Sequence, residues 1–113
     1  MNIQIFGKAK CFDTKKAERY FKERRLGYQK RDILLYPPSP RELEALAAAV
    51  GGIENLIDKE SRAYRESPIA YTSDKAEMAR ILTEQPALYR TPIVRDGRRA
   101  AVGYQPDEWK EWA

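Results

Sequence analysis

The order of hydrophobic and polar residues in the first third of the chain predicts a strand, a helix and a second strand. Residues 2–6 alternate hydrophobic with polar positions, which is typical of a half-buried strand. Residues 17–26 instead carry hydrophobic side chains at helical spacing, and Asp13 or Thr14 is the expected N-cap. Residues 28–33 are hydrophobic only at their ends, but a β-α-β crossover requires an extended segment here, so a second strand is predicted.

The middle of the chain, from about residue 39 to residue 86, predicts a helical insertion. The sequence Ser-Pro-Arg-Glu at residues 39–42 is a capping box with proline at the first helical position. Gly51 and Pro86 mark helix ends, and Ser73 or Asp74 marks the start of the last helix of the insertion. Three helical segments are therefore expected, at residues 39–51, near residues 53–66 and at residues 73–86.

The end of the chain changes from helical spacing to a predicted hairpin. Two short hydrophobic segments in residues 93–102 are separated by Asp96 and Gly97, a pair that favours a tight turn between strands. Residues 106–112 predict a final helix. The whole order is β-α-β, a helical insertion and β-β-α, which is the order of a thioredoxin-like α/β fold with a mixed sheet. We expect residues 1–113 to form a single domain.

The composition of the chain restricts its chemistry. The 113 residues include one cysteine and no histidine. These counts exclude an internal disulfide, a Cys-His catalytic pair and the usual zinc ligand sets, so no metal site is predicted. No hydrophobic segment reaches the roughly 18 residues of a membrane span, and the first residues lack a signal-peptide pattern. We expect a soluble, cytoplasmic protein with no membrane partner.

Positive charge is concentrated in the predicted first helix and the strand after it. The chain has 21 Lys and Arg against 17 Asp and Glu, and the segment from Lys15 to Arg31 is strongly basic. Such a segment is either a solvated helix face or a docking surface for a protein, a nucleic acid or glutathione. Its aromatic residues, at helical spacing, should face the core rather than stack on bases, so direct nucleic-acid binding is not expected.

Cys11 lies in GKAKCFDTKK, between the first predicted strand and the first predicted helix. The backbone N–H groups of a first helical turn are unpaired and the helix dipole is positive there, and both stabilise a thiolate. Four nearby lysines add positive charge: Lys8, Lys10, Lys15 and Lys16. The carboxylate of Asp13 opposes that charge. We expect the pKa of Cys11 to lie below its ordinary value of about 8.5. The alternative is a buried, inert cysteine.

Four stretches resemble the family of arsenate reductases and Spx-type regulators, in the glutaredoxin-like branch of the thioredoxin fold. They are FGKAKCFDTKKAERYFKE, RDILLYPPSPREL, NLIDKESRAYRE and RTPIVRDGRRAAVGYQPDEW. The last is the most specific, because proline, two hydrophobic residues, Asp-Gly and Val-Gly-aromatic recur at fixed spacing in the family. The resemblance implies that Cys11 is the nucleophile and that Pro92 is a cis-proline facing it.

Departures from the family pattern bear on the substrate. Glutaredoxin-coupled arsenate reductases hold the oxyanion with arginines, whose places here correspond to Asp58 and Thr91. A carboxylate repels arsenate, and a hydroxyl lacks the charged fork of arginine. Spx-type regulators carry a Cys-x-x-Cys pair, whereas this chain has Thr14 three residues after Cys11. The candidate substrate-binding residues are Thr14, Lys15, Arg90, Thr91, Pro92, Arg98 and Arg99.

Two hypotheses remain for the function. In the first, the protein is an arsenate reductase-like, thiol-dependent oxidoreductase that is not an efficient arsenate reductase. Cys11 attacks an oxidised substrate or glutathione disulfide, and an external thiol from glutathione, glutaredoxin or thioredoxin resolves the adduct. No tightly bound cofactor is expected. In the second, the protein is a non-catalytic, Spx-like regulator that binds a large partner, such as RNA polymerase, through its basic first helix.

Overall fold

The computed structural model describes residues 2–112 and has a mixed four-stranded sheet at its centre. The strands are β1 (Ile3–Gly7), β2 (Tyr28–Asp32), β3 (Ile93–Asp96) and β4 (Arg99–Val102), and their order across the sheet is β2-β1-β3-β4. β1 pairs in parallel with β2 and antiparallel with β3, and β3 and β4 form an antiparallel hairpin. The predicted β-α-β and β-β-α halves therefore share one sheet.

The helices follow the predicted order, but the first of them starts earlier than expected, and the segment near residues 53–66 forms a 3-10 turn and a four-residue helix instead of one helix. The helices are α1 (Phe12–Glu23), α2 (Pro40–Ala49), α3 (Arg62–Arg65), α4 (Lys75–Glu84) and α5 (Pro106–Trp112), with 3-10 turns at Ile53–Leu56, Pro68–Tyr71 and Pro86–Leu88. Among the helices of residues 2–112, none is long and apolar enough to cross a membrane.

α1 begins earlier than predicted, because its N-cap is Cys11 rather than Asp13 or Thr14. Cys11 has extended backbone dihedrals, and its carbonyl already accepts a hydrogen bond from the N–H of Lys15. Asp13 lies inside the first turn. A carboxylate is favoured throughout that turn by the positive end of the helix dipole, so its presence did not identify the N-cap.

The two faces of the sheet pack against different helices, because successive side chains of a strand point to opposite faces. Ile5 lies in a cluster with residues of α1 and α5 that is rich in aromatic side chains: Tyr20, Phe21, Trp109 and Trp112. Phe6, the next residue, lies in the mostly aliphatic cluster formed with the helical insertion. Both residues are fully buried, so a shift of one residue in the register of β1 would exchange the two faces.

A half-buried ion pair joins the helical insertion to the sheet. Arg31 of β2 donates hydrogen bonds to both carboxylate oxygens of Glu42, at 2.7 and 2.9 Å, and to the carbonyls of Tyr36 and Pro37. The guanidinium holds the pKa of Glu42 at about 2. Glu42 also completes the predicted capping box with Ser39. The network sets the path of the chain from β2 into α2.

Candidate functional site

Cys11 lies where the sheet, α1 and the segment before β3 meet. The loop from β1 to α1 turns sharply, because the N–H of Cys11 donates to the carbonyl of Lys8 at 3.0 Å. The thiol is partly exposed, and its Sγ donates to the carbonyl of Thr91 at 3.5 Å. This contact brings together two segments that are 80 residues apart in the chain.

The Thr91–Pro92 peptide bond is cis, as the family resemblance implied, and both residues are buried. Pro92 directly precedes β3, whose first residue, Ile93, pairs with Phe6 near the end of β1. Because β1 and β3 are neighbours and antiparallel, the start of β3 lies beside the end of β1. This arrangement, rather than any local sequence signal, brings Thr91 to Cys11.

Thr14 projects inward from the first turn of α1. Its side chain is 1% exposed, and within residues 2–112 its hydroxyl has no hydrogen-bond partner. Gly7 provides the space, because a Cβ at that position would lie 2.3 Å from Cγ2 of Thr14. Thr14 therefore holds a buried hydroxyl that is close enough to Cys11 to stabilise its thiolate.

The hydrogen bonds around Cys11 favour its thiolate form. Burial raises the pKa of the thiol, but hydrogen bonds from the side-chain hydroxyls of Thr14 and Thr91 and from the backbone N–H groups of Thr14 and Asp13 lower it, and the pKa lies below the ordinary value. These N–H groups belong to the first turn of α1, where they have no partner within the helix. The direction agrees with the prediction from the sequence, but hydrogen bonds rather than lysine charges are the main cause.

Lys8 is a residue of the site that the sequence indicated only as one of several charges. Its half-buried ammonium donates to the carbonyls of Ala87 and Tyr89, at 2.9 and 2.8 Å. Burial lowers the pKa of Lys8, and the charges of Asp58 and Cys11 oppose that change. Its position three residues before the cysteine, at the end of a strand, is the only signal that the sequence contained.

Asp58 lies on the same side of the molecule as Lys8. Its N–H donates to the carbonyl of Leu88 at 2.9 Å, next to the carbonyls that Lys8 binds. The carboxylate accepts from the N–H of Glu60, and its charge raises the pKa of Lys8. A negative charge therefore stands close to the site, where the family resemblance placed an arginine in arsenate reductases.

The structure does not bring Arg98 and Arg99 to Cys11, and this part of the prediction is corrected. Arg98 lies in the turn of the β3–β4 hairpin, and Arg99 is the first residue of β4. Asp96, at the end of β3, pairs with Ile3 at the start of β1. Cys11 follows the other end of β1, about 13 Å away at about 3.3 Å per residue. Arg99 pairs with Asp96 at 3.0 Å. The hairpin carries these arginines away from the thiol.

Arg90 precedes Thr91, but its exposed side chain lies against a different surface. The guanidinium is 3.3 Å from the place that a Cβ would take at Gly103. It lines a polar cleft of about 540 Å³ together with Glu54 and Glu108. Arg90 is therefore not placed beside the sulfur.

Lys15 is exposed on the first turn of α1, and its ammonium lies 5.9 Å from the centre of the Phe12 ring. Phe12 is itself 80% exposed next to Cys11. Lys16, Arg19 and Lys22 extend the exposed basic face along the helix, whereas its aromatic residues Tyr20 and Phe21 are buried, as predicted. The mouth of the site thus combines an aromatic ring with a basic helix.

A mixed sheet with one thiol between β1 and α1, opposite a cis-proline segment, defines a thioredoxin-like protein with a single candidate nucleophile. The model of the ArsC family matches residues 6–112. The chain belongs to the ArsC family, in agreement with its resemblance to arsenate reductases and Spx-type regulators.

Similar proteins come from both branches of that resemblance. The chain is 32% identical to a protein named Global transcriptional regulator Spx 2, from Oceanobacillus iheyensis, over 99% of this chain and 84% of that protein. A putative ArsC family related protein from Bacteroides fragilis has a TM-score of 0.88 and 23% identity, over 100% of this chain and 98% of that one. An arsenate reductase from Vibrio cholerae has a TM-score of 0.88 and 21% identity, over 98% and 97%. At these identities the two structures establish the fold alone.

Proposed function

We propose that this protein carries out thiol–disulfide chemistry with Cys11 as its only nucleophile and glutathione, or another external thiol, as the reductant. The observation that supports the proposal is the set of hydrogen bonds at the first turn of α1, which lowers the pKa of a partly exposed thiol. A thiolate that water can reach at neutral pH is the reactive form of cysteine. Such donors stabilise a thiolate, whereas a buried, inert cysteine remains a neutral thiol.

The proposed reaction has two displacement steps. The Cys11 thiolate attacks one sulfur of glutathione disulfide or of another disulfide, the S–S bond breaks, and the leaving thiolate takes the electron pair. Cys11 is then held in a mixed disulfide. An external thiolate then attacks the substrate sulfur of that adduct and releases Cys11 as a thiolate, so that the external thiol is oxidised to a disulfide and the original disulfide is reduced. The Thr14 hydroxyl donates to the Cys11 sulfur before the first step and after the second.

Efficient arsenate reduction is not part of this proposal, because the charges near Cys11 do not favour a tetrahedral oxyanion. Arg90 lies against Gly103, the hairpin arginines are at the far end of β1, and Asp58 adds a negative charge. Each charge-assisted hydrogen bond to such an anion contributes about 1.5 to 3 kcal/mol. The loss of two arginines would weaken binding by about 3 to 6 kcal/mol.

The first experiment measures the mixed disulfide directly. The wild-type protein is incubated with glutathione disulfide and its intact mass is determined, with Cys11→Ser as the control. We expect one glutathione per wild-type chain, none on Cys11→Ser, and release of the adduct by glutaredoxin with glutathione. A wild-type chain that stays unmodified, with alkylation as slow as that of an ordinary thiol, would refute the proposal.

A second assay tests the statement on arsenate. Arsenite production with glutathione and glutaredoxin is measured for the wild type, Cys11→Ser and the Asp58→Arg, Thr91→Arg double variant. We expect marginal turnover by the wild type. Robust turnover that depends on Cys11 in the unmodified protein would show that the two missing arginines do not limit arsenate binding.

A regulatory function is the second candidate, and the relative from Oceanobacillus iheyensis favours it, since that protein is named a global transcriptional regulator. In this chain the exposed basic face of α1 would bind a large protein such as RNA polymerase. A pull-down with purified RNA polymerase tests this, using Lys16→Glu with Arg19→Glu, and Lys75→Glu on α4 as the control. Loss of binding only in the α1 variant would support the regulator, and absence of binding by the wild type would reject it.

A further inference from the structure

Lys8 connects the two chain segments that form the Cys11 site. It belongs to the loop whose turn places Cys11, because its own carbonyl accepts the N–H of Cys11. Its side chain reaches the segment that leads into Thr91, where Nζ donates to the carbonyls of Ala87 and Tyr89 at 2.9 and 2.8 Å. One residue therefore contacts both sides of the site.

The position of Lys8 is unusual for a lysine, because a half-buried ammonium loses part of its hydration. Two short hydrogen bonds to carbonyl oxygens replace part of that hydration. The negative charge of Asp58 and the thiolate of Cys11 favour the charged form of Lys8, and their effect opposes the lowering of its pKa by burial. Lys8 is thus held by its surroundings, unlike Lys10, which is exposed two residues later on the same loop.

We propose that Lys8 is a positioning residue for Cys11: it fastens the Ala87 and Tyr89 carbonyls to the thiol-bearing loop and keeps one positive charge beside the thiolate. The carbonyl bonds hold the segment that ends in Thr91 beside the thiol-bearing loop, so that the Thr91 side chain stays within reach of Sγ. The charge acts on the thiolate and not on the thiol. Asp58 partly cancels that charge and so moderates the reactivity of Cys11.

The inference rests on the proposed function in one respect, because it treats Cys11 as a reactive thiolate. The experiment measures the rate of Cys11 alkylation by iodoacetamide against pH, which yields the pKa of the thiol and the limiting rate separately. The variants are Lys8→Met, which keeps the length of the side chain, Lys8→Arg, which keeps its charge, and Asp58→Asn. Lys10→Met is the matched control on the same loop.

We expect Lys8→Met to raise the pKa of Cys11, so that alkylation at about pH 7 slows by about threefold to tenfold, since loss of one nearby charge shifts a pKa by about half a unit to one unit. The alkylation rate of Lys8→Arg should stay within about twofold of the wild-type rate, and that of Lys10→Met should equal the wild-type rate. Asp58→Asn should lower the pKa of Cys11 and speed alkylation. Amide exchange of residues 87–91 should become faster in Lys8→Met alone.

The outcomes separate this inference from the proposed function. If wild-type Cys11 has an ordinary pKa and reacts slowly, the thiol–disulfide function fails for reasons independent of Lys8. If the wild type is reactive but Lys8→Met has the pH profile of Lys10→Met, the positioning role of Lys8 is wrong and the function stands. If Lys8→Met does not fold, Asp58→Asn decides: an unchanged pH profile in that variant overturns the proposal.

Discussion

The two ends of the central sheet contain similar polar residues but use them differently. At the end of β1 that leads to Cys11, Lys8 and Thr14 are half-buried or buried, and the contacts of the site join segments about 80 residues apart. At the β3–β4 hairpin, Arg99 is exposed and its charged partner, Asp96, is three residues away. A positively charged side chain is therefore part of the candidate site at one end of the sheet and lies on the surface at the other.

The difference comes from how deeply the polar groups of the two ends are buried. Three segments converge at the thiol end: the β1–α1 loop, the first turn of α1 and the segment before β3. Side chains there lose water and find partners on other segments, so a single hydrogen bond can change a pKa. The hairpin end also contacts other segments, through the N–H of Asn2 and the carbonyl of Trp112, but its arginine is exposed and water screens its charge. Burial, rather than charge density, distinguishes the candidate site.

The largest effect is expected from Gly7→Ala at the thiol end. A Cβ at Gly7 would lie 2.3 Å from Cγ2 of Thr14, which is fully buried and cannot move without disturbing the first turn of α1. Such overpacking should reduce the free energy of unfolding by about 3 kcal/mol. Gly27→Ala is the control, because no atom lies within 4 Å of its added Cβ. Urea denaturation that shows equal stability for the two variants would contradict the close contact.

The Glu42→Gln substitution should lower the free energy of unfolding by about 2 kcal/mol at neutral pH, since the bidentate pair with Arg31 is only partly exposed. The pKa of Glu42 falls from its ordinary 4.5 to about 2 in the folded chain. The stabilisation is therefore complete above about pH 4.5 and is lost as the pH falls toward 2. The difference from the wild type should shrink over that interval. A constant difference in urea midpoints, or an equal loss in the exposed Glu44→Gln control, would contradict this assignment.

Thr14→Val should separate reactivity from stability at the thiol end. The substitution keeps the shape of the side chain and removes a hydroxyl that donates to the thiolate, so the pKa of Cys11 should rise by about one unit, a tenfold loss of thiolate at neutral pH. The buried hydroxyl has no other hydrogen-bond partner within residues 2–112. The thiol form should therefore be as stable as the wild type or more stable by about 1 kcal/mol. An unchanged pH profile of alkylation would remove Thr14 from the site.

The smallest effect is expected at the hairpin. Arg99→Gln removes an exposed guanidinium that contacts Asp96 and the carbonyl of Trp112, while Asp96 keeps its hydrogen bond from the N–H of Asn2. The free energy of unfolding should fall by no more than about 0.5 kcal/mol. The rate of Cys11 alkylation should not change, because the hairpin lies at the other end of β1. If Arg99→Gln altered the pKa of Cys11, the contrast between the two ends of the sheet would be wrong.

Local patterns in the sequence identified most of the elements, because each pattern depends on neighbouring residues. The Ser39–Glu42 capping box, the Asp96-Gly97 turn and the alternation in β1 all appear in the structure at their predicted places. The family resemblance added the cis bond before Pro92, which no local signal indicated. The start of α1 was one exception, since an acidic residue is favoured at several positions of a first turn. The segment near residues 53–66 was another, because it forms a 3-10 turn and a four-residue helix instead of one helix.

The sequence by itself determined the order of the elements, the single thiol and its place before a helix, since these follow from residue type and spacing. Only the tertiary structure decided which charged residues accompany that thiol. Lys8, three residues before Cys11, folds back to the segment before β3 and joins the site. Arg98, six residues after Pro92, is carried away by an antiparallel strand. Distance along the chain does not give distance in space, because strand pairing joins remote segments and separates near ones.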